Sequence, residues 1–360
     1  MSVGAKTEPI GSPEGLSRRQ LSLASGMAML GSVCALPAAA RAIGTEPDVG
    51  AFINPEYRSI LPLLRRLPRD PLTKTNLAER RNAPPFVPPL ASPTFTKRNV
   101  PGPQGAPAVS VLVVNRPDGP APRRPGILHI HGGGFVAGNA IDEMRRSQEL
   151  ASQVDCVVVS VDYRLAPETP FPGPVEDCYA ALKWMHANAG ELGIDPSRIA
   201  IYGGSAGGGL AAMVVIAARD RGEIPLVFQA LMYPMLDDRT ARTRPVARQL
   251  GLVVWRPADN VFGWTSFLGG GAGLRKPPYG AVPARVENLK GLPPSWIAVG
   301  SIDLFVDEDL DYARRLVDAG VPTEFHLVPG AFHAFDVLPT ATPKLILASL
   351  VSAFKTAFGS

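Results

Sequence analysis

A serine between glycines, Gly203-Gly204-Ser205-Ala206-Gly207, is the feature of this chain best suited to do chemistry. Arg198 to Tyr202 before it reads as a short apolar strand that follows a turn signal at Asp195-Pro196-Ser197. Leu210 to Arg221 after it reads as a helix of small and aliphatic residues. A strand, a sharp turn and a helix are the context of a G-x-S-x-G elbow, in which Gly203 and Gly207 make room and the serine Oγ stands clear as a nucleophile. A glycine-rich packing turn in which Ser205 only caps the next helix uses the same residue types.

Acyl transfer by a serine also needs donors for the oxygen that becomes negative, a base and a group to orient that base. Gly126 to Ile130 reads as a strand that opens into His131-Gly132-Gly133-Gly134, a loop without side chains over its last three residues. Its Gly133 and Gly134 N–H groups, with that of Ala206 after the serine, are the candidate oxyanion donors; His131 and Gly132 complete the motif. The base and its acid follow the nucleophile in the chain order of such sites. Ser295 to Gly300 reads as a strand, and Asp303 comes just past its end. Glu324 to Val328 reads as the next strand, and His333 follows in the loop after Pro329. Of the five histidines, His129 and His326 fall inside strands, His131 in the glycine loop and His186 on a helix face, all positions for structural histidines. His333 alone has the loop position of a general base, with Asp303 as its partner. Asp307 and Glu308 also follow Asp303 closely, but they open a helix-like segment from Asp309 to Ala319, where the helix dipole is reason enough for acidic residues.

Taken together, HGGG, YRLAPE at Tyr163 to Glu168, GGSAGG, Asp303 to Glu308 and Gly330 to Phe335 resemble the hormone-sensitive-lipase-like carboxylesterases of the α/β-hydrolase fold. The motifs stand in family order from about Gly126 to Phe335. Two positions depart from the pattern: Gly204 where the family usually has Asp before the serine, and Leu304 where Pro commonly follows the acid. The resemblance implies a serine carboxylesterase with Ser205, His333 and Asp303 as triad, acting on short to medium acyl, aryl or lactone esters and needing no cofactor. An amidase or arylformamidase on the same fold shares these motifs. A non-catalytic small-molecule receptor of the family type lacks the histidine that is present here.

The elements that must position these residues alternate strand and helix through Lys344 to Phe358. That pattern predicts an α/β fold, a mostly parallel central sheet with helices on both faces, and the resemblance implies a helical cap over it. The first strands are expected near Thr94 to Val100 and Ala108 to Asn115. Before them, Arg58 to Leu67 and Thr73 to Arg81 read as short helices in a proline-rich stretch, one cap element over about 43–93. The second interrupts the alternation over about 237–290 and gathers Trp255, Phe262, Trp264 and Phe267, residues that ordinary helix packing would equally place there.

The 360 residues, 46% of them hydrophobic, suffice for one large core, so residues 43–360 are expected to form a single domain. The formal net charge is +4; without the first 42 residues, 32 basic groups face 30 acidic ones, about +2. No charge block or basic aromatic stripe provides a footprint for nucleic acid. No His/Cys/Asp cluster has metal spacing, so no metal is expected. Residues 1–42, with Arg18-Arg19 before a weakly apolar stretch and small residues at Ala38 to Ala42, read as a twin-arginine-type signal for periplasmic or secreted export, too short in apolar run to span a membrane. Cys156 and Cys178 read as two buried thiols. The partner expected is a small ester; monomer and homodimer both remain open.

Overall fold

A computed structural model describes residues 47–66, 70–82, 87–115 and 123–359. The export signal expected over 1–42, with Cys34, lies outside them. The described chain centres on one eight-stranded sheet: β1 (Phe95–Val100), β2 (Val109–Val114), β3 (Arg124–Ile130), β4 (Val157–Asp162), β5 (Ile194–Gly204), β6 (Phe228–Met232), β7 (Ser295–Gly300) and β8 (Thr323–Val328). The spatial order is β1-β2-β4-β3-β5-β6-β7-β8. β2 pairs antiparallel with β1 and β4, and all other pairs are parallel. The mostly parallel sheet expected from the alternating pattern is the one present, and it agrees with the α/β-hydrolase fold that the resemblance implies.

Nine helices accompany the sheet among the described residues: α1 (Leu61–Leu64), α2 (Leu77–Arg81), α3 (Met144–Val154), α4 (Gly173–Ala187), α5 (Ala189–Leu192), α6 (Ala206–Arg221), α7 (Pro257–Phe267), α8 (Val306–Asp318) and α9 (Ala341–Phe358). The inner strands β2 to β7 are mostly buried because both sheet faces are covered there, whereas the edge strands β1 and β8 bury one residue each. Alternate residues therefore split into two cores. Leu128, Ile201, Leu231 and Ile297 share one with α4, α6 and α8; Ile127, Tyr202, Ala230 and Trp296 share the other with α3 and α9. Cys156 and Cys178 are buried free thiols, and burial pushes both thiols' pKa up.

Several boundaries differ from expectation. β5 runs from Ile194 through Gly204 and α6 begins at Ala206, four residues before Leu210. Gly207, Gly208 and Gly209 are helical despite their poor propensity, because side chains there would strike Ile130 O at 2.1 Å, Pro234 Cβ at 2.9 Å and Met235 O at 2.2 Å. Packing at the turn overrides propensity. Likewise α8 starts at Val306, so Asp307 and Glu308 lie inside its first turn. In the stretch expected as one cap element, the segment from Val49 to Leu64 packs on the loop after β8. Asn54 N–H donates to Gly330 O at 2.9 Å, its Nδ2 donates to Pro329 O at 3.1 Å, and Tyr57 stands edge-on to Phe332 with ring centroids 5.8 Å apart.

Candidate active site

Four parallel strands deliver the candidate residues from their carboxyl ends, the edge where open α/β sheets gather reactive groups. β3 runs into the His131 loop, β5 into Ser205, β7 into Asp303 and β8 into the loop of His333. The elbow is sterically forced. Ser205 sits at φ 56°, ψ −124°, an unfavourable conformation for a residue with a Cβ. A Cβ on Gly203 would lie 2.3 Å from Gly207 O, so neither glycine tolerates replacement while the turn is kept. Ser205 N–H donates to Met232 O at 2.9 Å, and Ser205 O accepts from Gly209 at 3.0 Å and Met235 at 2.9 Å. These bonds hold the strained residue from both sides.

Ser205 Oγ lies 2.9 Å from His333 Nε2, and His333 Nδ1 lies 2.9 Å from Asp303 Oδ2. Asp303 Oδ1 accepts the Phe305 N–H at 3.0 Å, which fixes the carboxylate plane. The imidazole is held between Phe305, edge-on at 5.2 Å, and Tyr233, tilted at 4.6 Å. All three polar residues are buried: Asp303 is 0%, His333 5% and Ser205 8% exposed. A serine hydroxyl, an imidazole and a carboxylate in this line can deprotonate the hydroxyl and stabilise the resulting imidazolium.

The glycine loop sits against the serine. The point that a Cβ on Gly132 would occupy is 3.3 Å from Ser205 Cβ. Gly133 (φ 112°) and Gly134 (φ 62°) adopt backbone that side chains disfavour. Among the described residues, the N–H groups of Gly133, Gly134 and Ala206 donate to no protein acceptor, so all three remain available to an oxyanion. The His131 ring hydrogen-bonds neither Ser205 nor His333 among the described residues. Its ring stacks on Tyr163 with centroids 4.2 Å apart, and its Nδ1 lies 2.8 Å from Gly132 O. Burial pushes its pKa down, against Gly132 O and nearby Glu143.

Several residues of the site carry no local motif. Glu143 accepts the Gly132 N–H at 2.7 Å. Tyr233, at φ 36°, covers His333 and donates through its OH to Asp336. Trp255 lies over Gly134, with Cη2 2.0 Å from where a Cβ would stand. Trp264 and Phe267 are fully buried and pack on Phe135 of the glycine loop, with centroids 4.9 and 4.3 Å away. Leu304, after the acid, packs against Gly251 in the same region as Trp255. Glu308 corrects the helix-dipole reading. It is buried and accepts from Leu236 N–H at 2.7 Å, Asp237 N–H at 3.2 Å and Thr240 Oγ1, so it anchors the chain after β6. Only the periodic burial of α8, invisible until the helix start is known, distinguishes it from exposed Asp307.

Comparison with known proteins agrees with this fold. A family model described as alpha/beta hydrolase fold matches residues 127–337. The chain is 38% identical to an esterase, LipI, of Mycobacterium tuberculosis over 223 residues, 61% of this chain and 69% of the relative. It is 36% identical to an arylesterase of Saccharolobus solfataricus, over 58% of this chain and 67% of the relative. A solved structure titled bacterial heroin esterase superposes with TM-score 0.76 at 35% identity, covering 86% of this chain and 99% of that one.

Proposed function

Because the chain belongs to the hormone-sensitive-lipase-like carboxylesterases of the α/β-hydrolase fold, and is thus a carboxylic-ester hydrolase, we propose that Ser205, His333 and Asp303 carry its reaction. The observation that supports these roles is the unbroken line from Ser205 Oγ through His333 to Asp303, 2.9 Å at each step. His333 Nε2 takes the hydroxyl proton as Oγ adds to the ester carbonyl carbon. The N–H groups of Gly133, Gly134 and Ala206 hold the oxyanion, and Asp303 steadies the imidazolium. His333 then gives that proton to the departing alcohol. Water, deprotonated by the same imidazole, attacks the acyl-enzyme and releases the acid.

The substrates in this proposal are short to medium acyl, aryl or lactone esters. The cap over about 237–290 belongs to the same reading and is supported by Trp255 against Gly134; of the stretch before β1, also read as cap, Leu72 N–H donates to Asp259 of α7 at 2.7 Å, while Asn54 and Tyr57 support the histidine loop. Turnover across acyl chain lengths, with matched amides, tests the substrate class: amides turned over faster than esters would overturn it. Ser205→Ala abolishes hydrolysis in a folded protein, and an organophosphate adduct maps to Ser205; near wild-type turnover in the folded variant sinks the assignment. We also propose periplasmic or secreted export, supported by Arg18-Arg19 and the small residues that follow. Replacing both arginines by lysine then retains the precursor in the cytoplasm, and undiminished export rejects the twin-arginine route.

A further inference from the structure

The glycine loop is tied down one residue before its candidate donors, and the tie comes from an element outside every motif. Glu143 precedes α3 as its N-cap residue. Its Oε1 accepts the Gly132 N–H at 2.7 Å, and its Oε2 lies 3.1 Å from His129 Nε2. His129 is itself fixed in the core: its Nδ1 is 2.8 Å from Ser160 Oγ on β4 and 3.1 Å from Ser147 Oγ on α3, and its ring stacks on Tyr202. A continuous polar chain thus runs from the sheet through His129 and Glu143 to the Gly132 peptide. Burial works to raise the Glu143 pKa, but hydrogen bonds from His129 and Gly132 and the nearby imidazoles outweigh it and hold the carboxyl below its usual range.

Gly132 lies between that carboxylate and the elbow. The place of a Cβ on Gly132 is 3.1 Å from Glu143 Oε1 and 3.1 Å from Gly204 O. Gly204 has no side chain, and it borders a cavity of about 360 Å³ that Glu143, Tyr233, Arg146 and Asp336 also line. A Cβ on Gly204 would meet nothing closer than Tyr233 Cε2 at 3.5 Å, an ordinary contact, so space does not require glycine there. We propose that Glu143 is a positioning residue for acyl transfer: its carboxylate locks the Gly132 peptide and so aims the Gly133 and Gly134 N–H groups at the developing oxyanion. In this chain the carboxylate on the Gly132 peptide comes from the residue that caps α3, and Gly204 before the serine carries none. Support of this kind decides whether donors stand within the sub-ångström tolerance that transition-state stabilisation demands.

The inference rests on the reading of Ser205 as nucleophile, and the experiment separates the two. Wild type, Glu143→Gln, Glu143→Ala and Glu143→Ala with Gly204→Asp are assayed on p-nitrophenyl butyrate and titrated with an alkyl trifluoromethyl ketone. Ser205 Oγ adds to that ketone's carbonyl carbon, its proton passes to His333, and the carbonyl oxygen becomes an oxyanion in the hole. Expected for Glu143→Ala is a loss of about 10- to 100-fold in kcat with KM within about two-fold, and a matching loss of ketone affinity, since removing one such donor outright costs about 10²–10³. Glu143→Gln keeps the shape and falls between the two. Gly204→Asp returns about ten-fold of the lost ketone affinity. Wild-type ketone affinity in a folded Glu143→Ala chain overturns the proposal, as does a folded double variant with no gain over Glu143→Ala. A wild-type protein that the ketone does not inhibit rejects the nucleophile reading instead.

Discussion

The indole of Trp255 fills the space beside Gly134: a Cβ on Gly134 would stand 2.0 Å from Cη2 and 2.6 Å from Cζ2. The ring is tied by its Nε1–H to Asn260 Oδ1 of α7 at 3.3 Å, so it does not swing away freely. Gly134→Ala therefore meets both a wall and a backbone at φ 62° that disfavours a side chain. The expected result is a fall of about 10²–10³ in kcat, the effect of losing an oxyanion donor. Steady-state kinetics with a melting curve check it; unchanged kcat would show that the Gly134 N–H is not used.

Three neighbouring carboxylates should separate cleanly. Asp303→Asn leaves His333 in the wrong tautomer and lowers turnover by about 10⁴, as in other serine triads. Glu308→Ala strands the buried Leu236 and Asp237 N–H groups and costs about 1–3 kcal/mol for each unsatisfied donor, with far less effect on the chemistry. Asp307→Asn, at an exposed position, stays within about 0.5 kcal/mol. Turnover and denaturant midpoints measured side by side decide, and an active Asp303→Asn would refute the acid's identity.

Asp309 provides a pH test. It is fully buried on α8, neither carboxylate oxygen has a hydrogen-bond partner among the described residues, and burial with Glu308 and Asp303 nearby drives its pKa well above the usual carboxylate range. The unfolded chain then releases this proton at about pH 4 while the folded chain keeps it. Its contribution to stability is present below that pH and lost as pH rises toward the folded pKa. Asp309→Asn should thus raise the unfolding midpoint more at pH 8 than at pH 4. An equal or larger effect at pH 4 would contradict the buried neutral acid.

Tyr57 links the segment before β1 to the histidine loop. It is fully buried and edge-on to Phe332, the residue before His333. Tyr57→Ala is expected to cost about 3–5 kcal/mol, the range for deleting a buried aromatic ring, and to lower kcat in the fraction that remains folded. Urea denaturation with activity normalised to folded protein measures both; full specific activity would mean that the loop holds His333 without this support.

Ser205, Gly203 and Gly207 were legible in the sequence because a sharp strand-to-helix turn imposes its residue types locally. The glycine loop and the strand-end positions of Asp303 and His333 were legible for a similar reason: each follows an apolar run that reads as a strand. Glu143 and Tyr233 were not, since nothing about a glutamate before a helix or a tyrosine after a strand sets it apart until the element is packed. The early start of α6 was hidden too, as three consecutive glycines argue against a helix until the neighbouring backbone shows that no side chain fits.

What the sequence determined by itself is the order of alternating elements and the residue types at four strand ends, because periodicity and turn chemistry act over a few residues. Only the tertiary structure decided which of those residues meet. Ser205 and His333 stand 128 positions apart in the chain and 2.9 Å apart in space, a proximity set by parallel strands aligned in register. It also decided which carboxylates serve the site: Asp303 faces His333, Glu143 holds Gly132, Glu308 anchors the chain after β6 and Asp309 is left alone. Those four fates differ through burial and available donors, which packing creates and no local pattern records.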